Sequence, residues 1–283
     1  VSRAHLHVLT ERAEDLLPHY LLAQLTRCWG EDGHRVTVGP RLEGDLGVLH
    51  VDRTVVPAEL APTAGQRVLN GAALDISKRR VAGAPLTPDS DWDGPVILKT
   101  NANYHGLPER NLAERHLPLA LRFARRLWDD LLPWRWAGRL PLKRYPILPR
   151  LADVPDWVWR DEALVVQRFT PEREGGSYVL RIWVFVGDRG VLYRMVSDDP
   201  FVKSRRILRY EVSHEPPPEP IQAERRRLGL DFGKLDFVLY EGAPVLLDAN
   251  KTPAASVRRT ATPAHTQRLR HLAGGLRAFL EGG

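Results

Sequence analysis

The chain has 283 residues, 43% hydrophobic and 27% charged, with 41 Lys+Arg against 35 Asp+Glu and a net charge of +6. This is a globular balance, and no apolar run approaches the roughly 20 residues of a membrane span, so disordered, collagen-like and membrane-spanning classes are excluded. One cysteine, Cys28, builds neither a disulfide framework nor a Cys-rich zinc site and fits a reducing, cytoplasmic compartment, and the mixed opening VSRAHLHVLTERAEDLL does not read as a signal peptide.

The first fifty residues predict β-α-β-β. His5–Leu9 is a short apolar strand, Asp15–Trp29 has apolar residues at helical spacing, and His34–Gly39 and Gly47–Val51 are further strands. That order points to a parallel sheet with a crossover helix. Residues 52–75 read as an irregular connector. After the Asp93-Gly94-Pro95 turn signal comes a buried strand, Val96–Lys99. Residues 112–131 are amphipathic, with Pro118 limiting the helix start. Residues 132–159 are rich in Pro and Trp (Trp134, Trp136, Trp157, Trp159, with Trp128 just before) and read as irregular; core is the default role of these rings.

Strands are expected at Ala163–Phe169, Tyr178–Val186 and Val191–Val196, a polar helix at Glu219–Leu228, and an antiparallel pair, Leu235–Tyr240 and Pro244–Asp248, around Glu241-Gly242. Thr266–Leu280 is a closing helix weakened by Gly274-Gly275. The segment 197–206, SDDPFVKSRR, reads as a mobile substrate or phosphate loop, with Lys203 reaching a nucleotide, or as a plain solvated loop.

Residues 231–253 carry the most chemistry. Residues two apart on a strand share a face, so Asp248 and Asn250 project together, and hairpin pairing can bring Asp236 beside them. Two carboxylates and an amide oxygen suit Mg²⁺, whose remaining positions are filled by water and nucleotide phosphates; the plainer alternative is a polar strand end that caps loops. Lys99 ends an apolar strand before the polar loop TNANYHG, where an ammonium can hold a phosphate oxygen. In LVVQRFTPEREGG a buried strand runs into Pro and two glycines, a hinge pattern whose backbone can pair with an adenine edge, with Glu172 and Glu174 able to accept from ribose hydroxyls.

Only six basic residues are lysines (Lys78, Lys99, Lys143, Lys203, Lys234, Lys251). A compact ammonium differs from a guanidinium where a phosphate must be approached closely. Lys251-Thr252 follows Asn250 and is placed at the acceptor end, while Lys143 has no role. The arginines are scattered, and the densest run, Arg225-Arg226-Arg227, has no interleaved aromatics, so nucleic acid is not an expected partner. The histidines lack the spacing of a metal site, and no nucleophile-elbow motif is present.

These segments, in this order, resemble the ATP-grasp superfamily, specifically carboxylate–amine ligases of the glutathione synthetase and D-Ala-D-Ala ligase type. The resemblance covers roughly residues 70–255. It implies an α/β (α+β ATP-grasp) fold divided into a small pre-ATP-grasp domain over 1–70, an N-terminal subdomain over 71–163 and a C-terminal subdomain with the metal site over 164–283. It implies that Lys78 in ALDISK and Lys99 in VILK grip phosphates, and that Gln167-Arg168-Phe169 is the adenine hinge. Asp236, Asp248 and Asn250 would be the Mg²⁺ ligands. Arg181 is implied to reach the transferred phosphate, Lys234 to stand where some peptide ligases place an arginine, and Arg194 to clamp a substrate carboxylate. Asp248 stands where Glu is commoner, and Gln167 where the hinge often has Glu. The implied activity uses ATP and Mg²⁺ to join a small carboxylate to an amine through an acylphosphate. A small-molecule kinase and a non-catalytic nucleotide-binding module are the alternatives, and a homodimer is one open oligomeric state.

Overall fold

The computed structural model describes residues 3–81, 85–131, 133–141, 144–202, 206–255 and 262–281. Lys143 and Lys203 lie outside the described residues, as do the side chains of Trp128 and Trp136.

The chain opens with β1 (His5–Leu9), α1 (Leu21–Glu31), β2 (Arg35–Gly39), β3 (Leu46–Leu49) and β4 (Val68–Leu69). The four strands form a parallel sheet in the order β2-β1-β3-β4. Helix α1 starts later than its apolar spacing suggests. Pro18 biases the residue before it away from helical angles, and Tyr20 is extended, bridging to Ala254. The buried face of α1, with Leu22, Leu25, Cys28 and Trp29, covers Leu6, Val8 and Val48 of the sheet.

Next come α2 (Lys78–Val81), β5 (Val96–Thr100), α3 (Leu107–Ala113), α4 (Leu119–Leu131), α5 (Trp134–Ala137), β6 (Ile147–Leu148), α6 (Asp156–Arg160) and β7 (Leu164–Arg168). Strand β5 is central in an antiparallel sheet, β6-β5-β7. The helix expected over 112–131 is two helices. The first ends at Ala113, and Pro118, which has no N–H to donate, precedes the second, its carbonyl accepting from Leu121 and Arg122 in that helix's first turn. Trp134, Trp157 and Trp159 pack on the apolar core of this unit, around Val96, Leu98 and Val166.

The third sheet contains β8 (Glu172–Glu174), β9 (Ser177–Val186), β10 (Arg189–Ser197), β11 (Ile207–Ser213), β12 (Phe232–Tyr240) and β13 (Ala243–Asn250). Its order is β11-β10-β9-β12-β13, with β8 paired to β9. Helix α7 (Glu219–Arg227) covers one face through Ile221, against Trp183, Phe185, Leu235 and Phe237. The expected closing helix is α8 (Pro263–Ala273) and α9 (Arg277–Leu280), separated by a tighter turn over 274–276. Gly275 is required in that turn, because a Cβ there would lie 1.9 Å from the Val186 carbonyl oxygen. Helix α8 packs on α1, where the Trp29 indole donates to the Ala273 carbonyl at 3.0 Å. No helix among the described residues is long and apolar enough to cross a membrane.

Candidate active site

The β12–β13 hairpin sets Asp236 directly opposite Asp248, and Lys234 opposite Asn250. Cross-strand partners share a face, so all four side chains point to one side of the sheet. The Lys234 ammonium donates to both oxygens of Asp236, at 3.0 and 3.1 Å. The Asn250 amide oxygen accepts from the Thr252 backbone N–H at 2.8 Å.

The first turn of α2 brings in Lys78, whose side chain is 3% exposed and ion-paired with Asp248. Its ammonium also donates to Asn103 at 3.2 Å, and Asn103 is fixed by its own N–H to the Thr54 hydroxyl at 2.7 Å. Lys99, at the end of β5, reaches the Leu247 carbonyl at 3.4 Å. Three ammoniums thus meet two carboxylates, a surplus of one positive charge. Burial, reinforced by Lys78, pulls the Lys99 ammonium down to about 8. Burial raises Asp236, with neighbouring Asp248 adding to the effect and Lys234 opposing it. Burial also works against ionisation of Asp248, but Lys78, Lys234 and Lys99 together outweigh it and hold that carboxyl below its ordinary range. Adjacent carboxyls pushed apart in this way are typical of functional sites.

This corner is the polar end of a cavity of about 210 Å³ between the β6-β5-β7 sheet and the large sheet. Apolar walls come from Ile97, Phe169, Leu180, Phe201, Val238 and Leu247. The hinge residues divide around it. Phe169 and Arg168 line the cavity, and the Arg168 guanidinium stacks over Trp92 at 4.7 Å. Gln167, opposite Ile97 in register and 6% exposed, lines the neighbouring cleft beside Leu246 instead.

Four expected site residues lie elsewhere. Asp236 pairs with Ile182 of β9, and Phe237 pairs with Arg181. Alternation therefore turns Arg181 to the opposite face from the carboxylates. There it makes a two-pronged contact with Glu172, at 3.0 and 2.7 Å, and Glu172 also accepts from the Leu239 N–H at 2.8 Å. Arg194, opposite Arg181 in register, pairs with Glu174 and Glu211, and Arg209 adds to Glu174. Glu172, Glu174, Arg181 and Arg194, expected at the ribose, phosphate and substrate, form an ion-pair lattice bracing β8, β9, β10 and β11 and do not line this cavity. The oxygens of Glu172 are occupied within the sheet.

Other cavity residues come from outside the motifs, or from the 197–206 loop read as substrate-facing or solvated. Tyr145, from the Pro-rich connector, lines the cavity, stacks on His105 at 3.9 Å and shares a hydrogen bond with Thr100 at 3.1 Å. Pro200 and Phe201, from the segment after β10, close another wall. The loop after Lys99 is held in an unusual shape: Tyr104, His105 and Gly106 are consecutively left-handed, with φ of 47°, 60° and 69°. Non-glycine residues there store strain, a recurrent trait of functional loops.

Behind the metal-type corner lies a second polar cluster. Lys251 is fully buried with no hydrogen-bond partner for its ammonium among the described residues, and burial lowers it to about 8. The Thr252 hydroxyl donates to Asp52 at 2.6 Å, and the Tyr20 hydroxyl donates to the other Asp52 oxygen at 2.7 Å.

No family model and no curated relative matches the sequence. Among solved structures, the ATP-grasp ligase PsnB complexed with a minimal precursor is similar at TM-score 0.52 and 14% identity, covering 97% of this chain and 99% of that one. The same ligase with minimal precursor, Mg and ADP gives 0.51 at 15% identity over 96% of each chain. Its complex with precursor peptide PsnA2 and AMPPNP gives 0.50 at 14% identity, over 97% of this chain and 98% of that one. The chain has the ATP-grasp fold: a mixed α/β architecture with separate parallel and antiparallel sheets.

Proposed function

We propose that the protein is an ATP-dependent carboxylate–amine ligase acting on small molecules through an acylphosphate, with Mg²⁺-ATP held between the β6-β5-β7 sheet and the large sheet. One observation carries this reading: Lys78, Lys99 and Lys234 converge on the facing carboxylates Asp236 and Asp248 at the polar end of an apolar cavity. The working units are 1–70, 71–163 and 164–283. The likeness to a ligase whose complexes contain Mg, ADP and AMPPNP supports the same reading.

The residues present fit the implied ion. Asp236, Asp248 and Asn250 offer hard oxygen donors on one face, and a set this small suits a cation that keeps water and phosphate ligands. When bound, Mg²⁺ would offset charge on the nucleotide phosphates. Lys78 and Lys234 neutralise the two carboxylates directly, and each can turn to a phosphate when a cation takes its place. Lys99 adds a third ammonium whose burial raises the strength of any phosphate contact. The apolar walls and Phe169 accept an adenine, with Arg168 beside it and Gln167 on the neighbouring cleft; Lys203 remains a nucleotide candidate. Excluding water from the cavity protects an acylphosphate from hydrolysis.

The experiment measures ADP formation by the full chain across a panel of carboxylates and amines. The ligase reading expects turnover that needs both substrates. A stable phosphorylated product would support a kinase instead, and tight nucleotide binding without turnover an idle module. Asp248→Ala or Asn250→Ala should lower turnover by about 100-fold or more, and Lys99→Ala should weaken nucleotide binding by about tenfold. Full activity in either metal-site variant would sink the assignment.

A further inference from the structure

The large sheet has two edges, and they differ. Strand β13 is packed by α2 and α7. At the other edge β11 lies against β10, and no strand among the described residues pairs with its outer side. An outer row of N–H and C=O groups is a template for another strand. Proteins commonly blunt such edges with Pro, Lys or a bulge. The sequence of β11, ILRYEVS, has neither Pro nor Lys. Its one register shift against β10 falls at Leu208, and Arg209–Ser213 pairs without interruption against Leu192–Val196.

The strand is also apolar where it meets solvent. Leu208, Tyr210 and Val212 are 64%, 47% and 37% exposed. Tyr210 and Val212 share a face of the sheet. It is the face of Asp236, because Val212 registers with Tyr193, Tyr193 with Ile182, and Ile182 with Asp236. Arg209 and Glu211 alternate to the other face, in the lattice with Glu174 and Arg194. The order Arg-Tyr-Glu is self-complementary. When the strand meets its own copy antiparallel about Tyr210, Arg209 of each faces Glu211 of the other, the two Tyr210 rings face each other, and Leu208 faces Val212. Opposite charges, aromatic pairs and aliphatic pairs are the kinds that stabilise antiparallel strands. A slip of two residues either way would set Arg209 against Arg209 or Glu211 against Glu211, so charge selects this register.

We propose that β11 is a homodimer interface, in which two copies of the chain join edge to edge about a twofold axis at Tyr210 and merge their large sheets. The contact is isologous, so it closes at two copies and leaves neither β11 edge open. Cross-strand partners share a face, so both carboxylate corners lie on one side of the merged sheet. Strand β11 follows the segment that supplies Pro200 and Phe201 to the cavity wall, and the pairing tethers one end of that wall.

The test is the mass of the full chain by light scattering at about 100 μM, above the micromolar range of weak specific interfaces. Wild type should give twice the 32.0 kDa chain mass. Tyr210→Lys sets two ammoniums on the axis and should give the single-chain mass, with circular dichroism checking the fold. Crosslinking reads the register independently. Tyr210→Cys should form an interchain disulfide under mild oxidation, because directly opposed residues lie about 4.5–5.5 Å apart. Val212→Cys should not, because its two copies are four residues apart along the strand, about 13 Å. The native Cys28 is buried, and wild type is the control. A monomeric wild type, a dimer that survives Tyr210→Lys, or crosslinking at Val212→Cys but not at Tyr210→Cys would overturn the proposal. So would a dimer lost only in Phe123→Lys, which would move the contact to the exposed Leu119 and Phe123 of α4.

Discussion

Glu172 is 8% exposed and held by the Arg181 guanidinium, so loss of that guanidinium leaves a buried carboxylate unpaired. Breaking such a pair costs about 3 kcal/mol. Arg181→Met should therefore lower unfolding stability in urea by about that amount while Mg²⁺-nucleotide affinity stays within about twofold of wild type. A large loss of affinity with stability intact would instead put Arg181 at the phosphates. His50 gives a second residue-scale expectation. Its folded pKa is held at about 3 by burial, against an ordinary value of 6.5. Between those values the unfolded chain binds the proton and the folded chain does not, so this group destabilises the protein as pH falls through that window. Relative to His50→Gln, wild type should lose about 2 kcal/mol between pH 7 and pH 5, read from urea unfolding at the two pH values. A pH-independent difference would contradict a buried neutral ring.

At the scale of elements, the loop joining β5 to α3 places Asn103 under Lys78 while Tyr104 and His105 hold left-handed angles. Glycine adopts these without the steric penalty but has more freedom in the unfolded chain. Tyr104→Gly should stabilise the fold by a net of about 0.5 kcal/mol in urea unfolding; destabilisation would show that the tyrosine ring makes contacts worth more than the strain. The elements also show which features were legible in the sequence. The β12–β13 hairpin could be read from alternation and from Glu241-Gly242, and both turn residues are left-handed, with φ of 52° and 82°. The facing of Asp236 and Asp248 does not follow from the turn alone: the register counted from it sets Asp236 against Leu247, and a bulge between Asp236 and Phe237 shifts the partner to Asp248. The direction of Arg181 does not follow from it either. It depends on how β9 registers against β12, a non-local pairing in which a shift of one residue reverses the face. Strand β11 is legible in the alternation of Leu208, Tyr210 and Val212 with Arg209 and Glu211, although most of its residues are exposed. Tyr145 enters the cavity through tertiary folding of a Pro-rich segment with no periodic signal of its own, whereas Phe201 comes from the 197–206 loop, one reading of which faced substrate.

Across the whole molecule, the N-terminal parallel sheet keeps a small cluster of its own, Leu9, Leu49, Val51 and Val56, but its main core is shared. Trp29 of α1 packs with Leu272, Ala273 and Leu276 from the chain's end, and with Val186 and Phe232 of the large sheet. Asp52, Thr54 and Tyr20 then connect the parallel sheet by hydrogen bonds to Thr252, Asn103 and Asp248's partner Lys78. The carboxylate corner is thus braced by all three sheets, and a ligand between them would be gripped by residues distant in sequence. The measurement that tests this most directly is a crystal structure of the chain with Mg²⁺ and AMPPNP. The account expects the ion on Asp236, Asp248 and Asn250, the phosphates on Lys78 and Lys99, and the adenine against Phe169 and Leu247. A nucleotide bound outside this cavity, or an ion held away from those three oxygen ligands, would contradict it.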